Sequence, residues 1–138
     1  MHYRFATAAD VSLLAAMNRQ LIQDEGHRNR MSPAELEQRM NGWLKEEYEA
    51  VLFENDGRAV GYALYKRETD RVYLRQFFVE ADQRRKGIGS AAVAWLLSNA
   101  WRQSLRIQLD VLVGNSAGIA FWRSLGFADY CTRMELVR

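Results

Sequence analysis

Residues 79–90 constrain the fold more than any other segment, because a strand pattern ends there, a basic loop with Gly87 and Gly89 follows, and a helical pattern begins. The first N–H groups of a helix lack intrahelical partners, and the helix dipole adds positive charge at that end. Glycines let an anion approach the backbone without a Cβ in the way. The segment therefore predicts a phosphate or pyrophosphate site, with Arg84, Arg85 and Lys86 at its rim. An ordinary loop with two glycines and solvated charges is the structural alternative.

Two well-known phosphate-binding motifs compare poorly with this segment. A P-loop requires Gly-Lys followed by Ser or Thr, whereas Gly89 is followed by Ser-Ala. The dinucleotide fingerprint G-x-G-x-x-A is matched by residues 87–92, and Asp110 lies 21 residues past Gly89. That fold, however, runs from a strand almost directly into the glycine turn, whereas seven residues separate Val79 from Gly87 here. We therefore disfavour a dinucleotide site.

The rest of the chain alternates between helical and strand periodicity, with a hairpin signal, Asn-Asp-Gly, at residues 55–57. The predicted elements are a strand over 3–6, a helix starting at 7–10 with apolar positions to 22, a polar loop over 24–30, a helix starting at 32–35, strands over 50–54, 58–67 and 71–79, a helix over 84–102, a strand over 106–113, a helix over 116–125 and a strand over 129–137. This order, βααβββαβαβ, predicts an α/β (α+β) fold with a mixed, mostly antiparallel sheet flanked by helices.

Length and charge exclude several classes of protein. A chain of 138 residues suits a single domain over 1–138, and a net charge of +2 gives no basis for nucleic-acid binding. No apolar run approaches the roughly 20 residues that cross a bilayer. The lone Cys131 cannot form an internal disulfide and the N-terminus lacks an apolar signal core, so the expected location is cytoplasmic. Residues 1–83 carry 11 basic and 14 acidic side chains, whereas residues 84–138 carry 8 basic and 3 acidic ones. An acidic first part and a basic last part suit a cationic substrate beside an anionic cofactor. Chance also produces such a distribution of charge.

Two segments together resemble the GCN5-related N-acetyltransferases, the GNAT superfamily. Residues 84–89, RRKGIG, resemble the Arg/Gln-x-x-Gly-x-Gly/Ala signature, and the preceding strand ends eight residues before Gly87, the family's usual interval. Residues 115–127, NSAGIAFWRSLGF, resemble the family's Asn-x-x-Ala-x-x-x-Tyr-x-x-x-Gly-Phe segment. The element order also fits, so the likeness covers nearly the whole chain. It implies acetyl-CoA as co-substrate, with two central strands that splay apart to admit the pantetheine arm.

The resemblance also implies roles for individual residues. The backbones of Phe77 and Val79 pair with the acetyl and pantetheine groups, and the Phe77 N–H stabilises the oxyanion that forms on the thioester, an interaction typically worth about 2.7–4 kcal/mol. Asn115 contacts the cofactor and can cap the following helix as well. The expected cofactor-binding residues are Phe77, Val79, Arg84, Arg85, Lys86, Gly87, Ile88, Gly89, Ser90, Asn115 and Trp122.

The sequence departs from the family at both acid–base positions. The usual base carboxylate falls at Tyr73, and the usual Tyr acid falls at Trp122, whose indole cannot supply a proton near neutral pH. In this family the loop between the first two helices borders the acceptor site, so we expect Glu25 or His27 of that loop to act as base. Tyr130 is the candidate substitute acid.

These features predict an acetyl-CoA-dependent N-acetyltransferase acting on the amine of a small or amino-acid-like acceptor. Arg75 favours an acceptor with a carboxylate, in tension with the cationic substrate that the charge split suggests. The alternative function is a non-catalytic acyl-CoA-binding or sensing domain, which the missing acid and base favour. His27 has no second His or Cys at ligand spacing, so no metal site is expected. Neither nucleic acid nor a membrane is an expected partner, and the sequence allows a homodimer.

Overall fold

The computed structural model describes all residues, 1–138, and contains one five-stranded sheet with helices on both faces. The strands are β1 (His2–Phe5), β2 (Tyr48–Asn55), β3 (Arg58–Arg67), β4 (Val72–Val79) and β5 (Ile107–Gln108), and the α-helices are α1 (Val11–Glu25), α2 (Pro33–Lys45), α3 (Ile88–Ser98) and α4 (Ser116–Ser124). The strands lie in the order β1-β2-β3-β4-β5, and every pairing is antiparallel except the parallel one between β4 and β5. The predicted mixed, mostly antiparallel sheet is therefore confirmed.

The predicted hairpin joins β2 to β3 through a two-residue turn. Asp56 and Gly57 both have positive φ, 53° and 77°, as a type I′ turn requires. The turn sets the register in which β2 and β3 pair along their length. Strands β2, β3 and β4 thus form the meander that the sequence predicts.

Both faces of the meander are buried, which explains the continuous apolar runs in its strands. On one face Val51 and Phe53 belong to a buried cluster that includes Ala92 and Leu96 of α3. On the other face Leu52 belongs to a second cluster that includes residues of α1 and α2. The two clusters hold α3 and the α1–α2 pair against opposite sides of the sheet.

Helix α1 is longer than predicted and includes residues 24 and 25, which we expected in the loop. Gly26 adopts the left-handed conformation at φ 66°, and the N–H groups of Gly26 and His27 donate to the carbonyls of Gln23 and Ile22. This pattern is a Schellman cap, which ends a helix at the glycine. The polar residues 24 and 25 are therefore part of α1 and not the start of the loop.

Helix α2 begins as predicted, with Ser32 and Glu35 forming a capping box around Pro33.

The C-terminal third of the chain contains less regular structure than predicted. Helix α3 begins at Ile88 and not at residue 84, because the loop before it adopts positive φ at Arg85 and Gly87. Strand β5 has two residues where eight were predicted, and the predicted strand over 129–137 does not form. The element order is βααβββαβα. Alternating side chains favour a strand only where a neighbouring backbone completes the ladder, and Tyr130, Met134 and Leu136 are exposed beside a β5 that pairs at just two positions.

None of the helices combines the length and the apolar character that crossing a bilayer requires.

Candidate functional site

A gap opens in the sheet between β4 and the chain that follows β5. The two strands pair only at Val72 with Ile107 and at Tyr73 with Gln108. From that point to its end, β4 has β3 as its only strand neighbour. This gap, which we call the slot, is the splay that the resemblance implied.

The direction of the backbone groups along β4 identifies which of them face the slot. The Glu80 N–H donates to the Val60 carbonyl of β3 at 2.8 Å. Backbone groups alternate between the two sides of an antiparallel strand, so Phe78 also faces β3, and Phe77 and Val79 face the slot. Their N–H and C=O groups have no strand partner there, as an inserted pantetheine chain requires.

The glycine loop presents a second set of free N–H groups. Arg85 and Gly87 have positive φ, 62° and 77°. The first hydrogen bond of α3 runs from the Ala91 N–H to the Gly87 carbonyl at 3.0 Å, so the N–H groups of Ile88, Gly89 and Ser90 have no intrahelical partners. Free N–H groups thus lie at the helix start where the sequence predicts an anion site, and anion binding there stays a prediction.

Gly89 also allows close packing between the start of α3 and helix α4. A Cβ at this position would lie 3.1 Å from the Phe121 ring of α4. Glycine at residue 89 therefore lets the first turn of α3 approach α4 closely.

Arg84 does not lie at the rim as a free cation, contrary to our expectation. Its Nε donates to the Val79 carbonyl at 2.8 Å, and its Nη2 forms a charged hydrogen bond with the Asp24 carboxylate. Asp24 lies in the last turn of α1, so Arg84 joins the glycine loop to the end of β4 and to α1. Arg85 and Lys86 form no ion pair and remain exposed beside the helix start.

An aromatic cluster lines the α3–α4 side of the slot. The Phe77 ring packs against Phe53, Phe121 and Trp122 at centroid distances of 5.5, 6.0 and 5.1 Å. Trp122 also packs against Phe127 at 5.2 Å. Trp122 thus lies against Phe77, where it supplies apolar contact and no titrating hydroxyl.

The last turn of α1 spans the mouth of the slot and brings three predicted residues together. Glu25 Oε1 lies 3.0 Å from His27 Nε2, and Glu25 Oε2 lies 3.5 Å from Asn115 Nδ2. The Asn115 Oδ1 accepts a hydrogen bond from the Gly118 N–H at 2.9 Å, so Asn115 caps α4. With Asp24 tied to the β4 side, this turn contacts both edges of the slot.

Tyr73, at the family's base position, cannot serve as a base at neutral pH. Burial, followed by its hydrogen bond to the Asp110 carboxylate at 3.0 Å, raises the pKa of Tyr73 to about 12. Its hydroxyl is therefore a donor under ordinary conditions.

Tyr130 lies away from Phe77 and the slot, and its role as the acid stays a prediction that this position does not support. Its side chain is 75% exposed and its hydroxyl lies 3.4 Å from Arg106. Arg106 pairs through its carbonyl with Val72 at the opposite end of β4 from Phe77. The predicted last strand would have fixed the position of Tyr130, and that strand does not form.

A polar cluster between the sheet and the α1–α2 layer was not predicted. The Tyr62 hydroxyl donates to Gln76 Oε1 at 2.8 Å, and Asn18 Oδ1 accepts from Arg39 Nη2 at 3.0 Å. Tyr62 and Asn18 are both buried, and burial raises the pKa of Tyr62. These residues sit within otherwise apolar patterns, and only the isolated polar Asn18 on the apolar face of α1 could have indicated the cluster.

Comparisons with known proteins agree with this geometry. The model of the acetyltransferase (GNAT) family matches residues 15–127. A protein described as a possible acetyltransferase from Clostridium difficile 630 superposes with a TM-score of 0.83 at 18% identity, over 99% of this chain and 96% of that one. A predicted acetyltransferase with acetyl-CoA from Clostridium acetobutylicum gives 0.78 at 21%, over 99% and 95%. An aminoglycoside N-acetyltransferase in complex with CoA gives 0.77 at 16%, over 99% and 93%.

These structural relatives are under 25% identical, so they establish the fold alone, whereas the family model covers most of the chain. A search of curated proteins gives no match.

Proposed function

The chain belongs to the GNAT acetyltransferase family, and we propose that it transfers an acetyl group from acetyl-CoA to the amine of a small acceptor. The observation that carries the proposal is the slot beside β4, where the backbone groups of Phe77 and Val79 have no strand partner. The start of α3 lies close to Phe77, since a Cβ at Gly89 would lie 3.7 Å from the Phe77 ring, so one extended ligand can contact both.

The residues at the slot suit the two ends of acetyl-CoA. The N–H groups of Ile88, Gly89 and Ser90, together with the positive φ at Arg85 and Gly87, suit a pyrophosphate. The N–H and C=O of Phe77 and the N–H of Val79 suit the amides of the pantetheine arm, in the manner of an added strand, whereas the Val79 C=O already accepts a hydrogen bond from Arg84. When bound, acetyl-CoA supplies an activated thioester.

The reaction requires removal of a proton from the acceptor. An alkylamine resembles Lys, with a pKa near 10.4, so only about one molecule in 2,500 is neutral at pH 7. The departing thiol resembles Cys, with a pKa near 8.5, and leaves as thiolate at little cost. A base therefore matters more than an acid, which fits an acid position that holds Trp122.

Glu25 is the base that this arrangement supports. Its carboxylate lies at the mouth of the slot between His27 and Asn115 and is 31% exposed, so water can connect it to an acceptor amine. The Phe77 N–H, which faces the slot, stabilises the oxygen that gains negative charge during attack.

Replacing Glu25 with Gln should lower kcat/KM about 100-fold at pH 7, because general-base catalysis typically contributes 100-fold or more. The deficit should shrink as the pH approaches the pKa of the acceptor amine, since less of the amine then needs a base. Steady-state kinetics from pH 6 to 10, with the acetyl-CoA Kd measured by calorimetry, checks both points. Glu37→Gln, on the exposed side of α2, is the matched control. An unchanged rate at pH 7 in the Glu25 variant excludes Glu25 as base.

A non-catalytic acyl-CoA-binding domain is the second candidate function. The observations that favour it are the high pKa of Tyr73 and the indole at residue 122, where the family uses a carboxylate and a phenol.

One pair of measurements separates the two candidates. Calorimetric titration with acetyl-CoA should show binding under both functions, and absence of binding at millimolar concentration contradicts both. Chromatography of products from an amine panel then decides between them, because turnover of any amine excludes the binding-only function. Chromatography is preferable to thiol reagents, since the exposed Cys131 would react with them.

A further inference from the structure

Two arginines stack on one tryptophan beside the slot without a carboxylate partner. The guanidinium carbons of Arg39 and Arg75 lie 4.5 and 4.8 Å from the ring centroid of Trp43. Neither guanidinium forms an ion pair within 4.0 Å, whereas nearby Lys66 contacts two carboxylates, those of Glu47 and Glu68. Two neighbouring like charges without an anion are unfavourable.

Buried donors beneath this pair also lack acceptors. Arg39 donates through Nη2 to Asn18 Oδ1 at 3.0 Å, yet its Nε and the Asn18 Nδ2 are buried and have no hydrogen-bond partner. Asn18 itself is 1% exposed. Burial, and next the charge of Arg75, lower the pKa of Arg39. Unsatisfied buried donors are unfavourable, and this cluster contains more donors than acceptors.

Arg75, one of the two stacked arginines, lies on the same strand as Phe77 and close to it. Arg75 precedes Phe77 by two residues on β4, about 7 Å along a strand. The register of β3 and β4 shifts between Leu64 and Tyr65. Arg75 and Gln76 are neighbours in the sequence, yet both side chains lie on the α1–α2 side of the sheet, where Arg75 contacts Trp43 and Gln76 contacts Tyr62. An acceptor on this side can therefore contact Arg75 at one end and approach Phe77 at the other.

Charge of the opposite sign lies at the end of α1. Glu25 carries it at the mouth of the slot, beside Asn115, whereas Arg39 and Arg75 carry positive charge against Trp43. The acceptor side of the slot thus has a cationic part at α2 and an anionic part at the end of α1. Such a polarity matches a zwitterion and resolves the tension between a cationic acceptor and one with a carboxylate.

We infer that the acceptor carries a carboxylate that binds between Arg39 and Arg75 on Trp43, with its amine directed towards Glu25 and Phe77. This inference rests on the proposed function. A guanidinium binds a planar carboxylate through two parallel hydrogen bonds, which makes Arg75 a specificity-determining residue.

Matched acceptor pairs test the inference. Amino acids and their carboxamides, assayed at saturating acetyl-CoA, should differ in KM by about 10- to 100-fold in favour of the carboxylate. Arg75→Gln should remove most of this preference, by raising the KM of the amino acids at least tenfold more than the KM of their carboxamides. Arg102→Gln, an exposed arginine without an ion pair, should retain it. Equal use of both members of each pair, or a preference that survives in Arg75→Gln, overturns the inference.

A binding measurement separates failure of this inference from failure of the proposed function. Succinate, titrated at constant ionic strength, should change tryptophan fluorescence in the wild type and in Arg102→Gln. In Arg75→Gln the apparent Kd should rise at least tenfold, and Trp43→Phe should lose the signal. Succinate binding without turnover of any amine supports the anion site and contradicts the transferase function, whereas turnover without succinate binding or a carboxylate preference contradicts the anion site alone.

Discussion

Gly61→Ala is expected to destabilise the protein by about 3 kcal/mol, which for a chain of this size lowers Tm by roughly 10 °C. A Cβ at residue 61 would lie 2.2 Å from the Phe78 carbonyl oxygen and 2.9 Å from the Phe53 ring. The first of these neighbours is backbone of the adjacent strand and cannot rotate away. Because Gly61 pairs with Val79, relief of the clash must separate β3 from the end of β4 that borders the slot.

The same variant should also bind acetyl-CoA more weakly, because the displaced backbone is the one that faces the slot. Differential scanning calorimetry and a cofactor titration measure the two effects. Gly42→Ala is the matched control, since a Cβ there meets nothing within 4 Å and the residue lies inside α2. That variant should gain about 0.5–1 kcal/mol, because alanine loses less entropy than glycine in a helix. A Gly61→Ala protein within 1 kcal/mol of wild type contradicts the packing described for β3 and β4.

The meander and the start of α3 could be predicted from the sequence because local signals determine them. The Asn-Asp-Gly hairpin, the capping box at Ser32 and the positive φ that Gly87 supplies are properties of a few adjacent residues. The slot itself could be predicted only from the resemblance of residues 84–89 to the family motif, because no local sequence pattern describes a gap between two strands. The backbone of Phe77 is one example, since its exposure to the slot depends on where β5 stops pairing.

The remaining features depend on contacts between distant residues, which a single sequence does not specify. The predicted strand over 129–137 required a partner that β5 does not provide. The pairing of Arg84 with Asp24 joins residues 60 positions apart, and it converts an expected rim cation into a structural link. The stacking of Arg39 and Arg75 on Trp43 joins α2 to β4 in the same way. No local pattern in the sequence indicates the two cations that lie against the Trp43 ring.

Phe77→Pro should lower kcat about 100- to 1,000-fold relative to Phe77→Leu, because loss of one oxyanion donor typically costs about 2.7–4 kcal/mol. Both variants lose the aromatic contacts with Phe121 and Trp122, but only proline lacks the N–H. The Phe77 N–H faces the slot and not β3, so proline removes no hydrogen bond of the sheet, as at an edge strand.

The two Phe77 variants should therefore have similar Tm values and acetyl-CoA Kd values within a few-fold of each other, while kcat differs. This combination distinguishes a donor to the reacting oxygen from a donor that supports the strand. If the N–H faced β3, the proline variant would unfold at a much lower temperature than the leucine variant. If the N–H faced the slot without contacting the thioester, kcat would be the same in both. Calorimetry, titration and single-turnover chromatography on the same protein samples decide among these outcomes, and only the first assigns Phe77 to the chemical step.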